Sequence, residues 1–144
     1  GDTIVPLRLS VVGRRGKQVL VSLWFVYENG ALWCATQHSA RVVKHLAANH
    51  RCGFEVSTNE AANHRCGFEV STNDPPYMGI RGRGRATVEA RPGERILRTL
   101  LKRYQGGEDS SLARWLLSRV ETEVAIRIEP KRITSWDFSK RMTP

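Results

Sequence analysis

Acidic side chains are in short supply: 14 Asp and Glu stand against 23 Lys and Arg in 144 residues, leaving a net charge of +9. Such a balance calls for an anionic partner, either nucleic acid or a smaller anion such as a phosphorylated cofactor. Cysteine is also scarce. Cys34, Cys52 and Cys66 are odd in number and lack CxxC spacing, which argues against a disulfide framework or a thiolate zinc cage. His38, His45, His50 and His64 show no ligand spacing and no carboxylate paired with them in sequence, which disfavours a metal site. No GxSxG elbow, Cys–His pair or close acidic pair points to hydrolysis. No apolar run approaches the roughly 20 residues of a membrane span. No charged, apolar and small-residue succession resembles a signal peptide, so a soluble cytoplasmic protein is expected.

What is present fits one globular domain over residues 1–144, with 40% hydrophobic residues and four tryptophans. The chain is organised around Leu20 to Leu46, LVSLWFVYENGALWCATQHSARVVKHL. This stretch reads as a strand, a tight Asn29-Gly30 turn, a second strand and a helix opening at Ser39. Asn-Gly between two apolar runs signals a hairpin, because both turn residues must tolerate positive φ. Arg41 and Lys44 follow in the first turns of the helix, and a helix N-terminus with added cations is an anion site. On the first strand Val19, Val21, Leu23, Phe25 and Tyr27 share one face, and Leu20, Ser22, Trp24 and Val26 the other. Neither face suits solvent. One needs a core; the other needs a partner subunit, a helix or a flat ligand.

Before this stretch, Val5, Leu7, Leu9 and Val11 alternate with Arg8 and Ser10, the period of a half-buried strand. After it, Arg51 to Ser57 alternates again. The segment AANHRCGFEVSTN at Ala47 to Asn59 then recurs unchanged at Ala61 to Asn73. The offset is even, so sliding from one copy to the other keeps every side chain on its face. Two units are too few for a solenoid; the repeat reads as a local tandem duplication or a segment recorded twice. Tyr77 to Arg91 is the next extended run, with Arg81, Arg83 and Arg85 on one face and Gly82 and Gly84 on the other. Glycine inside a strand marks close approach by a ligand or another backbone.

Glu94 to Tyr104 is amphipathic and stops at Gly106-Gly107, and Ser110 or Ser111 starts a second helix. Trp33 and Trp115 are assigned to the core. Val120 to Glu129 reads as strand, Pro130 ends it, and Ile133 to Phe138 forms a last short strand carrying Trp136. The inventory is mainly β: a β-barrel of antiparallel strands with peripheral helices, which removes free edges. Because the arginines are spread through strands and helices and form no tail, nucleic acid is disfavoured as the partner.

The segments VSLWFVYENGALWCATQHSARVVKHL, PPYMGIRGRGRATV, LLKRYQG and ITSWDFS, in that order, resemble the split-barrel flavin proteins of the pyridoxamine 5′-phosphate oxidase-like superfamily. They are most like the small members that use FMN or the deazaflavin F420. The resemblance runs through nearly the whole chain; the duplicated segment occurs once in the family pattern. It implies a six-stranded antiparallel split barrel of FMN-binding type, forming a homodimer with cofactor at the subunit interface.

The resemblance further implies that the cofactor ring lies against Leu20 to Phe25, bringing in Val21, Ser22, Leu23 and Trp24. The phosphate would be held by the segment Ala35 to Lys44. Thr36 and Arg41 match that motif, with Ser39 beside them; Val42 stands where the family often has a lysine, and Lys44 is the nearest replacement. Trp136 matches a C-terminal strand that approaches the other subunit's site. An F420 tail, with its phosphate and glutamates, would suit Arg81, Arg83 and Arg85 or Arg14, Arg15 and Lys17. The expected activity is FMN- or F420-dependent hydride transfer to or from a small organic substrate. A flavin- or F420-binding protein without turnover and, behind it, a basic nucleic-acid-binding barrel are the alternatives.

Overall fold

The computed structural model describes residues 5–57 and 78–137 of the chain. They form seven antiparallel strands: β1 (Leu7–Val12), β2 (Gln18–Leu23), β3 (Val26–Glu28), β4 (Ala31–Gln37), β5 (Arg51–Ser57), β6 (Met78–Glu89) and β7 (Glu123–Asp137). Three helices accompany them: α1 (Arg41–Ala48), α2 (Gly93–Gln105) and α3 (Ser111–Leu117). The strand order in the sheet is β2-β1-β5-β6-β7-β4-β3.

The two edge strands of that order are successive pieces of one run. From Gln18 to Glu28 the chain first pairs with β1, bends at Trp24-Phe25, and then pairs with β4. This bend closes the sheet into a split barrel. It also explains why there are seven strands where six were expected: a run that reads as one strand must change partners midway. At the bend the Phe25 N–H donates to the Tyr104 hydroxyl at 3.2 Å, satisfying a backbone group that the ladder has lost.

Alternation places the core. Leu7, Leu9 and Val11 of β1 are fully buried with Leu32, Cys34, Cys52, Phe54, Ala86, Ile126 and Ile128, and α1 adds Val42 and Leu46 to the same interior. Val19, Val21, Leu23 and Phe25 pack against this cluster, as their shared face requires. A second cluster lies outside the barrel, where Ile96 and Leu100 of α2 cover Ala31, Trp33 and Ala125. The 3.6-residue spacing of Ile96, Leu97, Leu100 and Leu101 produces this face, and all four are buried.

The turn chemistry follows the sequence. Asn29 and Gly30 have φ of 51° and 78°, and Gly106 caps α2 at φ 73°. Ser110 caps α3, accepting from the Ala113 N–H at 3.0 Å.

Three expectations are corrected. Ser39 does not cap α1: the cap position is Ala40, with no side-chain hydrogen bond, because the chain makes a turn through His38 and Ser39 first. Pro130 does not end a strand. β7 runs through it, since Gly84 pairs with Pro130 and Arg83 with Arg132, and a residue without an N–H is tolerated at such a bulge. Trp115 is not a core residue; it is 54% exposed, with the Arg119 guanidinium 3.9 Å from its ring centre. On the two-turn α3 the buried position goes to Ala113.

The close approach marked by the strand glycines is to protein. A Cβ at Gly82 would stand 2.4 Å from the Arg132 carbonyl oxygen and 2.6 Å from the Phe54 ring; one at Gly84 would stand 2.4 Å from the Glu129 carbonyl oxygen. Of the duplicated segment, the first copy supplies the end of α1 and all of β5; the second lies outside the described residues. Among the described residues no helix is long and apolar enough to cross a membrane.

Candidate phosphate-binding cleft

The turn from β1 to β2 and the exposed side of α1 face each other across a cleft of about 760 Å³. The turn is tight. Arg15 and Gly16 have φ of 58° and 76°, and the Gly13 N–H donates to the Lys17 carbonyl at 2.6 Å, which brings Arg14 and Lys17 to one side. From α1 come Arg41, Lys44, His45 and Ala48. These are helix positions i, i+3, i+4 and i+7, one face, while Val42 and Leu46 anchor the opposite face in the barrel.

Arg14, Lys17, Arg41 and Lys44 are all exposed, and among the described residues no carboxylate lines the cleft. Among the described residues none of the four has an ion-pair partner. Four such cations repel one another unless an anion lies between them. The volume is within the range of small-molecule sites, roughly 300–1,000 Å³. The donor set is hydrogen-bond donors only, apart from the His45 ring, so it fits a phosphate group.

The other predicted site residues are distributed around the barrel. Ser39 lies exposed in the turn before α1. Thr36 is half-buried on β4, paired with Val124. Neither lines the cleft. Val21 and Leu23 pack inward, Ser22 is exposed opposite Arg8, and Trp24 lies under α2, stacked on Tyr104 at 5.0 Å with 10° between the planes. Trp136 pairs through its backbone with Gly79; its side chain lies outside the described residues. Leu20, on the outer side of β2, is 68% exposed. Sequence reasoning gathered Arg41 and Lys44 and named Arg14 and Lys17 separately. It missed His45, which the i, i+4 relation to Arg41 on the helix face would have supplied.

Titratable groups away from the cleft are perturbed by burial. Burial pushes the Cys34 thiol far up and the Cys52 thiol to about 11, so neither is a thiolate at neutral pH. Burial also raises the Glu123 carboxyl, against the opposing hydrogen bond from Gln37 and the charge of Arg119. Among the described residues no three His, Cys, Asp or Glu side chains gather as a metal site.

No family model matches the sequence, and no curated protein does. Solved structures match throughout the chain. A conserved hypothetical protein of Mycobacterium tuberculosis shares 22% identity at a TM-score of 0.73, over 97% of this chain and 81% of that one. An F420 reductase shares 17% at 0.67, over 92% and 91%. A candidate pyridoxamine 5′-phosphate oxidase of Listeria innocua shares 17% at 0.60, over 90% and 86%. A heme storage protein of Vibrio cholerae is also similar, with 14% identity, a TM-score of 0.65, and 93% and 86% covered. At these identities the likeness is one of fold, and the chain has a split-barrel fold.

Proposed function

We propose that this chain binds FMN or F420 and acts as a flavin- or deazaflavin-dependent oxidoreductase on a small organic substrate. The observation that carries the reading is the cleft in which Arg14, Lys17, Arg41 and Lys44 converge with no carboxylate among the described residues that line it. The fold supports it, since an F420 reductase and a candidate pyridoxamine 5′-phosphate oxidase share it.

In this reading Arg41 and Lys44 bind the phosphate, and Arg14 and Lys17 add charge from the opposite wall. The α1 N-terminus, carrying no acidic residue in its first turn, adds its dipole. The backbone of Val21 to Trp24 shapes the ring's surroundings; Thr36 and Ser39, which lie outside the cleft, and Trp136 complete the proposed set of cofactor-binding residues. A bound flavin or deazaflavin would supply the hydride chemistry. The residues of the chain bind, orient and exclude water, and no side chain is assigned as general acid or base. A homodimer with cofactor at the interface belongs to the proposal, as does a cytoplasmic location; the bare outer side of β2 at Leu20 supports a covering partner.

Incubation of the purified protein with FMN and with F420, followed by desalting and mass spectrometry of what is retained, tests the reading. Retention of one cofactor, lost in Arg41→Ala, supports it. Retention of neither overturns it. Turnover with retained cofactor separates an oxidoreductase from a binding protein without activity.

A further inference from the structure

β5 lies between β1 and β6, and the residues that fit it there occur twice in the chain. Cys52 and Phe54 are buried in the barrel. Phe54 stands opposite Gly82, where the absence of a side chain leaves room for its ring. Just ahead of the strand, the Ala86 N–H donates to the His50 carbonyl at 2.8 Å, and Asn49 Oδ1 accepts from the Arg51 N–H at 3.0 Å. Residues 61–73 repeat every one of these groups in order, with Asn63 to Phe68 standing for Asn49 to Phe54.

We infer that either copy forms β5, so that the barrel has two native arrangements that exchange. The offset between the copies is even, so the second enters with the same face inward, placing Cys66 opposite Gly84, Phe68 opposite Gly82 and Val70 opposite Ile80. Because the two strands are identical in sequence, burial, packing and ladder hydrogen bonds are the same in both arrangements. Only the connections differ. With the first copy in place, two residues join α1 to β5 and 20 join β5 to β6. With the second in place, residues 49–64 and 72–77 do so, 16 and six in number. Loop-closure cost rises only with the logarithm of length, so this trade shifts the balance by roughly tenfold or less. Six residues is an ordinary length between paired strands, and Asn73, Asp74, Pro75 and Pro76 are turn formers.

The exchange alters how α1 is held. Val42 and Leu46 keep the helix in the barrel core in both arrangements. In the first, Asn49 and His50 alone tie its end to β5, and Lys44, His45 and Ala48 near that end line the cleft. In the second, 16 residues intervene, and the sheet no longer fixes the end of α1 that borders the cleft. Neither arrangement depends on a bound cofactor.

The test is Phe54→Asp, because a carboxylate forced into the core excludes the first copy from β5. Tryptic cleavage distinguishes the copies, since Cys52 falls in CGFEVSTNEAANHR and Cys66 in CGFEVSTNDPPYMGIR. The variant should still unfold cooperatively on heating, followed by far-UV circular dichroism. Pulsed alkylation under native conditions, read by mass spectrometry, should label Cys52 at least about tenfold faster than in the parent and Cys66 at least about tenfold slower, with Cys34 protected in both. Phe68→Asp should leave Cys52 protected. Phe54→Asp combined with Phe68→Asp should lose cooperative unfolding, since no intact copy remains. Loss of cooperative unfolding in Phe54→Asp alone overturns the inference. So does a folded Phe54→Asp in which Cys52 stays protected, or in which Cys66 is labelled as fast as in urea. A double variant that unfolds like the parent overturns it as well.

Discussion

Tyr104 stacks on Trp24 with ring centroids 5.0 Å apart, and its hydroxyl donates to the Val5 carbonyl at 2.8 Å while accepting from the Phe25 N–H at 3.2 Å. One side chain from α2 thus fastens the bend at which the barrel changes partners. Removing the hydroxyl alone leaves the Phe25 N–H without its acceptor in a half-buried position. Tyr104→Phe should cost about 1–3 kcal/mol, the range for a lost hydrogen bond with one unsatisfied partner. Urea unfolding measures it, and an unchanged midpoint would mean that water replaces the hydroxyl at no cost.

Arg41 and Lys44 stand a helix turn apart on one wall of the cleft. If a phosphate lies there, Arg41→Ala should weaken cofactor binding by about 1.5–3 kcal/mol, the scale of a charge-assisted hydrogen bond. Arg14→Ala and Lys17→Ala, acting through charge at an exposed site, should cost about 0.5–1 kcal/mol each. Those two effects should fade near about 1 M NaCl, where the screening length is about 3 Å. Calorimetric titration separates the two classes. Equal losses for all four, independent of salt, would contradict the arrangement.

Gly82 admits no side chain, because both the Arg132 carbonyl and the Phe54 ring occupy the Cβ position. Gly82→Ala should destabilise the fold by about 1–3 kcal/mol, as overpacking does. Pairing it with Phe54→Leu should recover only part of the loss, since the backbone oxygen remains. Full recovery would show that the ring alone sets the limit.

Glu123 is buried at the start of β7, and burial raises its carboxyl above the usual range. With the folded value above the unfolded one, its contribution to stability is present below the unfolded value and is lost as pH rises through the folded one. Once ionised, the group is therefore a net cost to stability. Glu123→Gln keeps an oxygen that can accept from Gln37 Nε2, which lies 2.6 Å from Glu123 Oε1. Thermal unfolding from about pH 4 to 8 should show the variant losing less stability than the parent as pH rises. A parent and variant with parallel profiles would remove Glu123 as the source.

Deleting Glu60 to Asn73 removes one repeat unit and shortens the β5–β6 connection from 20 residues to six. Six is a common loop length, and the even offset keeps the register of either copy. The variant should unfold cooperatively with a melting temperature at or above the parent's. Loss of cooperative unfolding would mean that the second copy is needed.

The periodic elements were legible: the buried face of β1, the Asn29-Gly30 turn, the apolar stripe of α2 and its Gly106 cap each rest on residues near in sequence. The bend at Trp24-Phe25 was not, because nothing local says that half of a continuous apolar run will pair with β1 and half with β4. Ser39 and Pro130 misled for the same reason. A capping residue or a strand breaker acts only where the ladder or helix end falls, and neighbouring elements set that point. Arg41 and Lys44 could be placed on a helix start from sequence, but their distance from Arg14 and Lys17 could not.

By itself the sequence determined which side of each strand and helix is apolar, where the tight turns lie and that cations greatly exceed acids, since these follow from periodicity, φ preference and composition. Only the tertiary structure decided where the charge gathers. Arg51, Arg83, Arg85 and Arg132, scattered over three strands, become neighbours because strands far apart in sequence lie roughly 4.8 Å apart in a sheet. Register across the sheet is a long-range property, and no window of the chain contains it.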